Sequence, residues 1–146
     1  MNRENTKFLI IHCSATPPQS DPTIADIDRW HKERGIESPL GSLSGYHMFI
    51  RRDGTIEHGR QPMEIGAHAH GANDNSLGVC LSGGVDKELR PEANYTLNQW
   101  QSLSNIIESA KQIYPGISVI GHNQVSNKAC PSFDVPQMLK LFQIEV

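Results

Sequence analysis

No stretch of this 146-residue chain approaches the roughly twenty consecutive apolar residues that a membrane-spanning helix needs. A secretory leader is missing as well: in MNRENTKFLIIHCSAT the apolar run is only about five residues long and holds a histidine. Both absences predict a protein that enters no membrane and stays in the cytoplasm unless something else releases it. Blocks of like charge are absent too. With a net charge of −3 and 20% charged residues, a broad basic surface for direct nucleic acid binding is excluded. A neutral or peptide-like ligand fits better. Cysteine is scarce, and three is an odd number, so without an export signal free thiols are expected in place of disulfides. The Cys-x-x-Cys pairs of closed structural zinc modules do not occur. Neither do internal repeats, low-complexity tracts or a Pro/Gly-rich linker. The length suits one domain, residues 1–146, with no separate wall-binding module, and 37% hydrophobic residues are enough for one core.

What is present is an interleaving of strand and helix signals. KFLIIHC (Lys7–Cys13) is short, apolar and isoleucine-rich, which predicts a buried strand. Asp21-Pro22 is expected to open a helix running to about Arg34, where Gly35 stops it. Ile24, Ile27, Trp30 and His31 share its apolar face, so His31 reads as a helix-packing residue. YHMFIRRDGTIEHG is a hairpin signal around Asp53-Gly54. Strand alternation groups Tyr46, Met48 and Ile50 against His47, Phe49 and Arg51. SLGVCLSGG (Ser76–Gly84) predicts a strand with Cys80 as a small buried hydrophobe. Thr96 and Gln99 form a capping box for a helix to about Tyr114, with Leu97, Trp100, Leu103, Ile106, Ile107 and Ala110 as its stripe. ISVIGH is a last strand, and Pro136 starts a short terminal helix containing Met138, Leu139 and Phe142. The fold class is α/β: a central mixed sheet flanked by helices.

Two of these strands end in histidine, at His12 and His122. Eight residues beyond His122, in GHNQVSNKACP, stands Cys130. Two imidazoles and one thiolate from three places in the chain are zinc-type donors, and three protein ligands with a fourth position left to water is the usual catalytic arrangement. Such a set leaves a net charge of +1 to acidify water and polarise a carbonyl. Spacing alone leaves other triads open among seven histidines and three cysteines. Cys13 is the obvious competitor, but alternation turns it to the face opposite His12. Lys128 reads either as a solvated loop lysine or as a donor to a developing oxyanion. Tyr46 reads either as an ordinary strand tyrosine or as a phenol aimed at bound water.

The stretches HCSAT (His12–Thr16), RWHKERG (Arg29–Gly35), GYHMFIRRDGTIEHGR (Gly45–Arg60), IGAHAHGANDNSLGVCLSGG (Ile65–Gly84) and GHNQVSNKACPSFDV (Gly121–Val135) cover nearly the whole chain. Together they resemble the type-2 N-acetylmuramoyl-L-alanine amidases, whose fold is shared with peptidoglycan recognition proteins. Within that family they are most similar to the small lysozymes of T-odd coliphages. The resemblance implies one Zn²⁺ held by His12, His122 and Cys130, with Tyr46 and Lys128 as catalytic helpers. Recognition proteins that have lost activity typically lack the cysteine, so its presence implies catalysis. The implied activity is that of an endolysin. It would cut the amide between N-acetylmuramic acid and L-alanine in peptidoglycan, as a monomer, released from the host cytoplasm by a holin. A cytoplasmic recycling amidase has the same chemistry. The other readings are a peptidoglycan-binding module without turnover and a regulator of phage RNA polymerase. Substrate contacts are expected from the loop Ala67–Ser76, with no single residue of it assigned. The chain departs from the phage pattern in a longer GIESPLGSLSG loop (Gly35–Gly45) and a shorter segment before His12. The altered N-terminus counts against a polymerase partner.

Overall fold

The computed structural model describes residues 5–36 and 44–142. Most of the longer Gly35–Gly45 loop, residues 37–43, therefore lies outside the described residues. Phe8–Cys13 forms strand β1, buried from Leu9 onward. A strand with parallel neighbours on both edges and helices on both faces has no wet side, which is why its sequence is a continuous apolar run. Met48–Ile50 is β2, Ile56–His58 is β3, Ser76–Leu81 is β4 and Ser118–Gly121 is β5. The five make one sheet in the order β3-β2-β4-β1-β5. All neighbours pair in parallel except the β2–β3 hairpin. The mixed α/β sheet expected from the sequence is thus the observed one.

Alternation sorts the two faces. Leu9, Ile11 and Cys13, with Leu77, Val79 and Leu81 of β4 and Ile50 of β2, join the larger cluster. Helix α2 (Leu97–Ile113) and helix α3 (Val135–Leu141) complete it through Leu103, Ile106, Ile107, Met138 and Leu139. On the opposite face, Phe49 and Cys80 pack against Ile27 of helix α1 (Ile24–Glu33). Cys80 is fully buried, as expected of a small apolar side chain. All three cysteines are free thiols.

Several local expectations are corrected. Helix α1 begins at Ile24 because Thr23, not Asp21-Pro22, caps it: the Asp26 amide donates to the Thr23 hydroxyl, and the Thr23 amide donates to the Asp26 carboxylate at 2.9 Å. The hairpin turn is also longer than a two-residue turn. Gly54 donates to the Arg51 carbonyl and takes φ +92°, closing a three-residue loop that favours glycine at this position. Leu97 leaves the apolar stripe of α2, being 86% exposed, and Gln99 is fully buried in its stead. Gln99 Nε2 donates to the carbonyls of Ile50 and Ser82, tying the helix start to the ends of β2 and β4. Phe142 lies just past α3, its ring edge-on to Trp100 with centroids 5.5 Å apart. Finally, Tyr46 does not share a face with Met48 and Ile50. The strand starts only at Met48, and the backbone bend before it turns the Tyr46 ring toward Phe49 and Cys80.

Candidate metal centre

The penultimate residue of β1 projects to the α1 side of the sheet, and that residue is His12. It is almost completely buried. Beside it, β5 ends at Gly121 and the chain turns through a 3₁₀ turn, His122–Gln124, which the Gly121 amide closes by donating to the Gln124 side chain at 2.7 Å. The His122 ring therefore sits beside His12, with centroids 4.5 Å apart. Cys130 comes back in the following loop. Three bonds anchor that loop: Tyr95 donates to the Pro131 carbonyl, Ser132 donates to the Gly84 carbonyl, and Asn123 donates to the Phe133 carbonyl. The Cys13 amide donates to Cys130 Sγ at 3.1 Å.

One donor atom from each of His12, His122 and Cys130 lies within 4.8 Å of the others, the one such group of His, Cys, Asp or Glu among the described residues. The competitor Cys13 is not part of this group; its side chain belongs to the larger core cluster on the α2 side. Whether the trio suits a metal depends on which His12 nitrogen keeps a lone pair. The Ser76 hydroxyl gives its proton to the Ala72 carbonyl at 2.6 Å, so it accepts from His68 Nε2 at 3.3 Å. A neutral His68 protonated at Nε2 has an acceptor at Nδ1, which takes the Nε2–H of His12 at 2.8 Å. His12 Nδ1 is then left unprotonated, 3.9 Å from Cys130 Sγ. A ligand histidine oriented through its other nitrogen is the usual support for a metal site. The donor set thus fits zinc in both chemistry and proton placement.

Burial is the main reason that His12 is held well below the ordinary histidine pKa, and the neighbouring ionisable groups His68, His122 and Lys128 push the same way. His122 is lowered too, by burial and then by Lys128. Neutral imidazoles are the ligating form. The hydrogen bond shared with Cys13, and then burial, push the Cys130 thiol up. A bound cation would reverse that preference by deprotonating the sulfur.

Tyr46 and Lys128, the other two site residues expected from the sequence, flank this group. The Tyr46 ring centroid is 5.1 Å from that of His12. Burial raises its hydroxyl pKa well above the ordinary value, so the phenol keeps its proton. His31 does more than pack: its Nδ1 accepts the Gly45 amide at 2.6 Å and pins the backbone just before Tyr46. Lys128 is exposed and borders two adjoining cavities of about 450 and 220 Å³, the second of which also contains His12, Tyr46 and Cys130. His68 was not assigned from the sequence. Its signal was Gly78, which alternation places on the His12 face: a Cβ there would come within 2.6 Å of the His68 ring.

The family model described as N-acetylmuramoyl-L-alanine amidase matches residues 2–133. The chain belongs to the N-acetylmuramoyl-L-alanine amidase family. The endolysin of Escherichia phage T7 is 44% identical over 133 residues, covering 91% of this chain and 85% of that one. The endolysin of Enterobacteria phage K11 is 41% identical over 138 residues, covering 94% and 88%. Among solved structures, the N-acetylmuramoyl-L-alanine amidase LysC from Clostridium intestinale URNW superposes with a TM-score of 0.79 at 26% identity, covering 97% of this chain and 87% of that one. These relatives assign N-acetylmuramoyl-L-alanine amidase activity to the chain.

Proposed function

We propose that this amidase is a zinc-dependent endolysin that hydrolyses the bond between N-acetylmuramic acid and L-alanine, lysing the host cell. His12, His122 and Cys130 would hold the metal. The observation that carries this reading is the hydrogen-bond relay from Ser76 through His68, which leaves His12 Nδ1 unprotonated beside the other two donors. Zinc there would supply a Lewis acid for the scissile carbonyl and for an attacking water. The chain's own residues do the rest. Lys128, an exposed residue lining the cavity, donates to the carbonyl oxygen as negative charge develops there. Tyr46 holds the water in line through its hydroxyl, its backbone fixed by His31 and Ser44. Either residue can assist the departing amine.

Metal analysis of the purified protein beside a Cys130→Ser variant tests the ligand set. One equivalent of zinc in the parent and little in the variant is the expected result; equal metal in both would overturn it. Clearing of permeabilised Gram-negative cells should stop with a chelator and resume on adding zinc. Lys128→Ala should retain zinc yet lose about 10²–10³ in rate, the usual cost of removing an oxyanion donor. Near-normal turnover in that variant would remove Lys128 from the chemistry.

A further inference from the structure

The two cavities beside the donor cluster share Arg34 and Lys128, and three histidines border the larger one. Not one aspartate or glutamate lines either among the described residues. This cationic pocket lies in a chain whose net charge is −3, so it runs against the bulk of the molecule. Lys128 belongs to the reacting centre in the reading above. Arg34 does not. It is exposed, one residue past the end of α1, and none of the ion pairs among the described residues uses it. Its charge is felt inside the site, because it helps to depress the pKa of buried His31 after burial itself.

A guanidinium offers a planar fork of donors that matches a carboxylate better than any neutral group. The scissile amide and the alanine that follows it carry no charge. The next stem residue, D-glutamate, is joined through its γ-carboxyl and leaves its α-carboxylate free, the first fixed anion beyond the cut. We propose that Arg34 is a positioning residue that binds this α-carboxylate and makes the enzyme selective for acidic over amidated stems. The proposal rests on the peptidoglycan reading of the site.

Soluble muramoyl tripeptides test it in three forms: both carboxylates free, the second residue amidated, and the third residue amidated. The parent should prefer the free form over the second-residue amide by about tenfold in kcat/KM, the equivalent of one charge-assisted hydrogen bond. Arg34→Gln should erase that preference through KM, with kcat nearly unchanged, and Arg34→Lys should restore part of it. Third-residue amidation should change little. An intact preference in Arg34→Gln, an equal loss on all three substrates, or sensitivity to third-residue amidation alone would overturn the assignment. Calorimetry with the product tripeptide needs no turnover. Weaker binding by Arg34→Gln than by the parent keeps the Arg34 assignment alive even if the zinc chemistry proves wrong, and equal binding by both defeats it.

Discussion

His68 is not itself one of the expected metal donors, yet it decides which nitrogen of His12 is available. Outer partners of ligand histidines usually hold about 10–100-fold in metal affinity. His68→Ala should lose zinc affinity by that factor, read by competition with a chromophoric chelator. Gly78→Ala should do the same from a distance, because its methyl would occupy the space of the His68 ring. An unchanged affinity in both would reduce His68 to packing. His31 sets a pH dependence. Burial, followed by the charges of Arg34 and Arg60, lowers it from the ordinary 6.5 to about 4. Between these values the unfolded chain takes up a proton that the folded chain refuses, so stability present above pH 6.5 is lost as pH falls toward 4. Denaturant unfolding of metal-stripped protein at pH 7 and pH 5 should show that loss. His31→Asn, whose side-chain oxygen can still accept the Gly45 amide, should show a shallower one, and equal slopes would count against His31 as the source.

Among the elements, the start of α2 is joined to the sheet through the side chain of Gln99. Its capping box of Thr96 and Gln99 was legible from residue type and spacing, because the two groups satisfy each other locally. The burial of Gln99 was not legible, since its partners, the carbonyls of Ile50 and Ser82, are 49 and 17 residues away. Gln99→Met keeps the bulk but takes one of two hydrogen bonds from each carbonyl, Ile50 keeping the Ser82 amide and Ser82 keeping Arg52. It should destabilise the fold by about 0.5–1.5 kcal/mol for each bond lost, measured by chemical denaturation with activity assayed under native conditions. A loss below about half a kcal/mol in all would mean that these bonds add nothing to the join. The same distinction explains Tyr46. Alternation holds only where a strand exists, and the ladder begins two residues later, at Met48. The central strands were legible because burial on both faces leaves a long apolar run, whereas the start of α1 was missed because Pro22 at a first turn outweighed the stronger Thr23–Asp26 pair.

For the whole molecule, the three proposed ligands join the first strand to the last and to the loop beyond it. The trio was legible because histidine at a strand end is an uncommon polar interruption. His68 and Arg34 were not, since each is defined by what lies across the sheet or cavity from it. A ligand that binds only the folded chain stabilises it by about 4 kcal/mol at a thousandfold excess over Kd. At about 2–4 °C per kcal/mol for a chain near this size, zinc should raise Tm by roughly 8–16 °C. Cys130→Ser should abolish most of that rise, and a metal-independent Tm would contradict a shared site. Sheet periodicity has one more consequence. Deleting any one residue from Phe8–Ile11, with the neighbouring pairings kept, would swing the imidazole into the hydrocarbon layer beneath α2 and bring the Cys13 thiol up in its stead. One such slip would abolish metal capture and sour the oily interior together, so the spelling of β1 is under a double constraint that neither half of the molecule could relax alone.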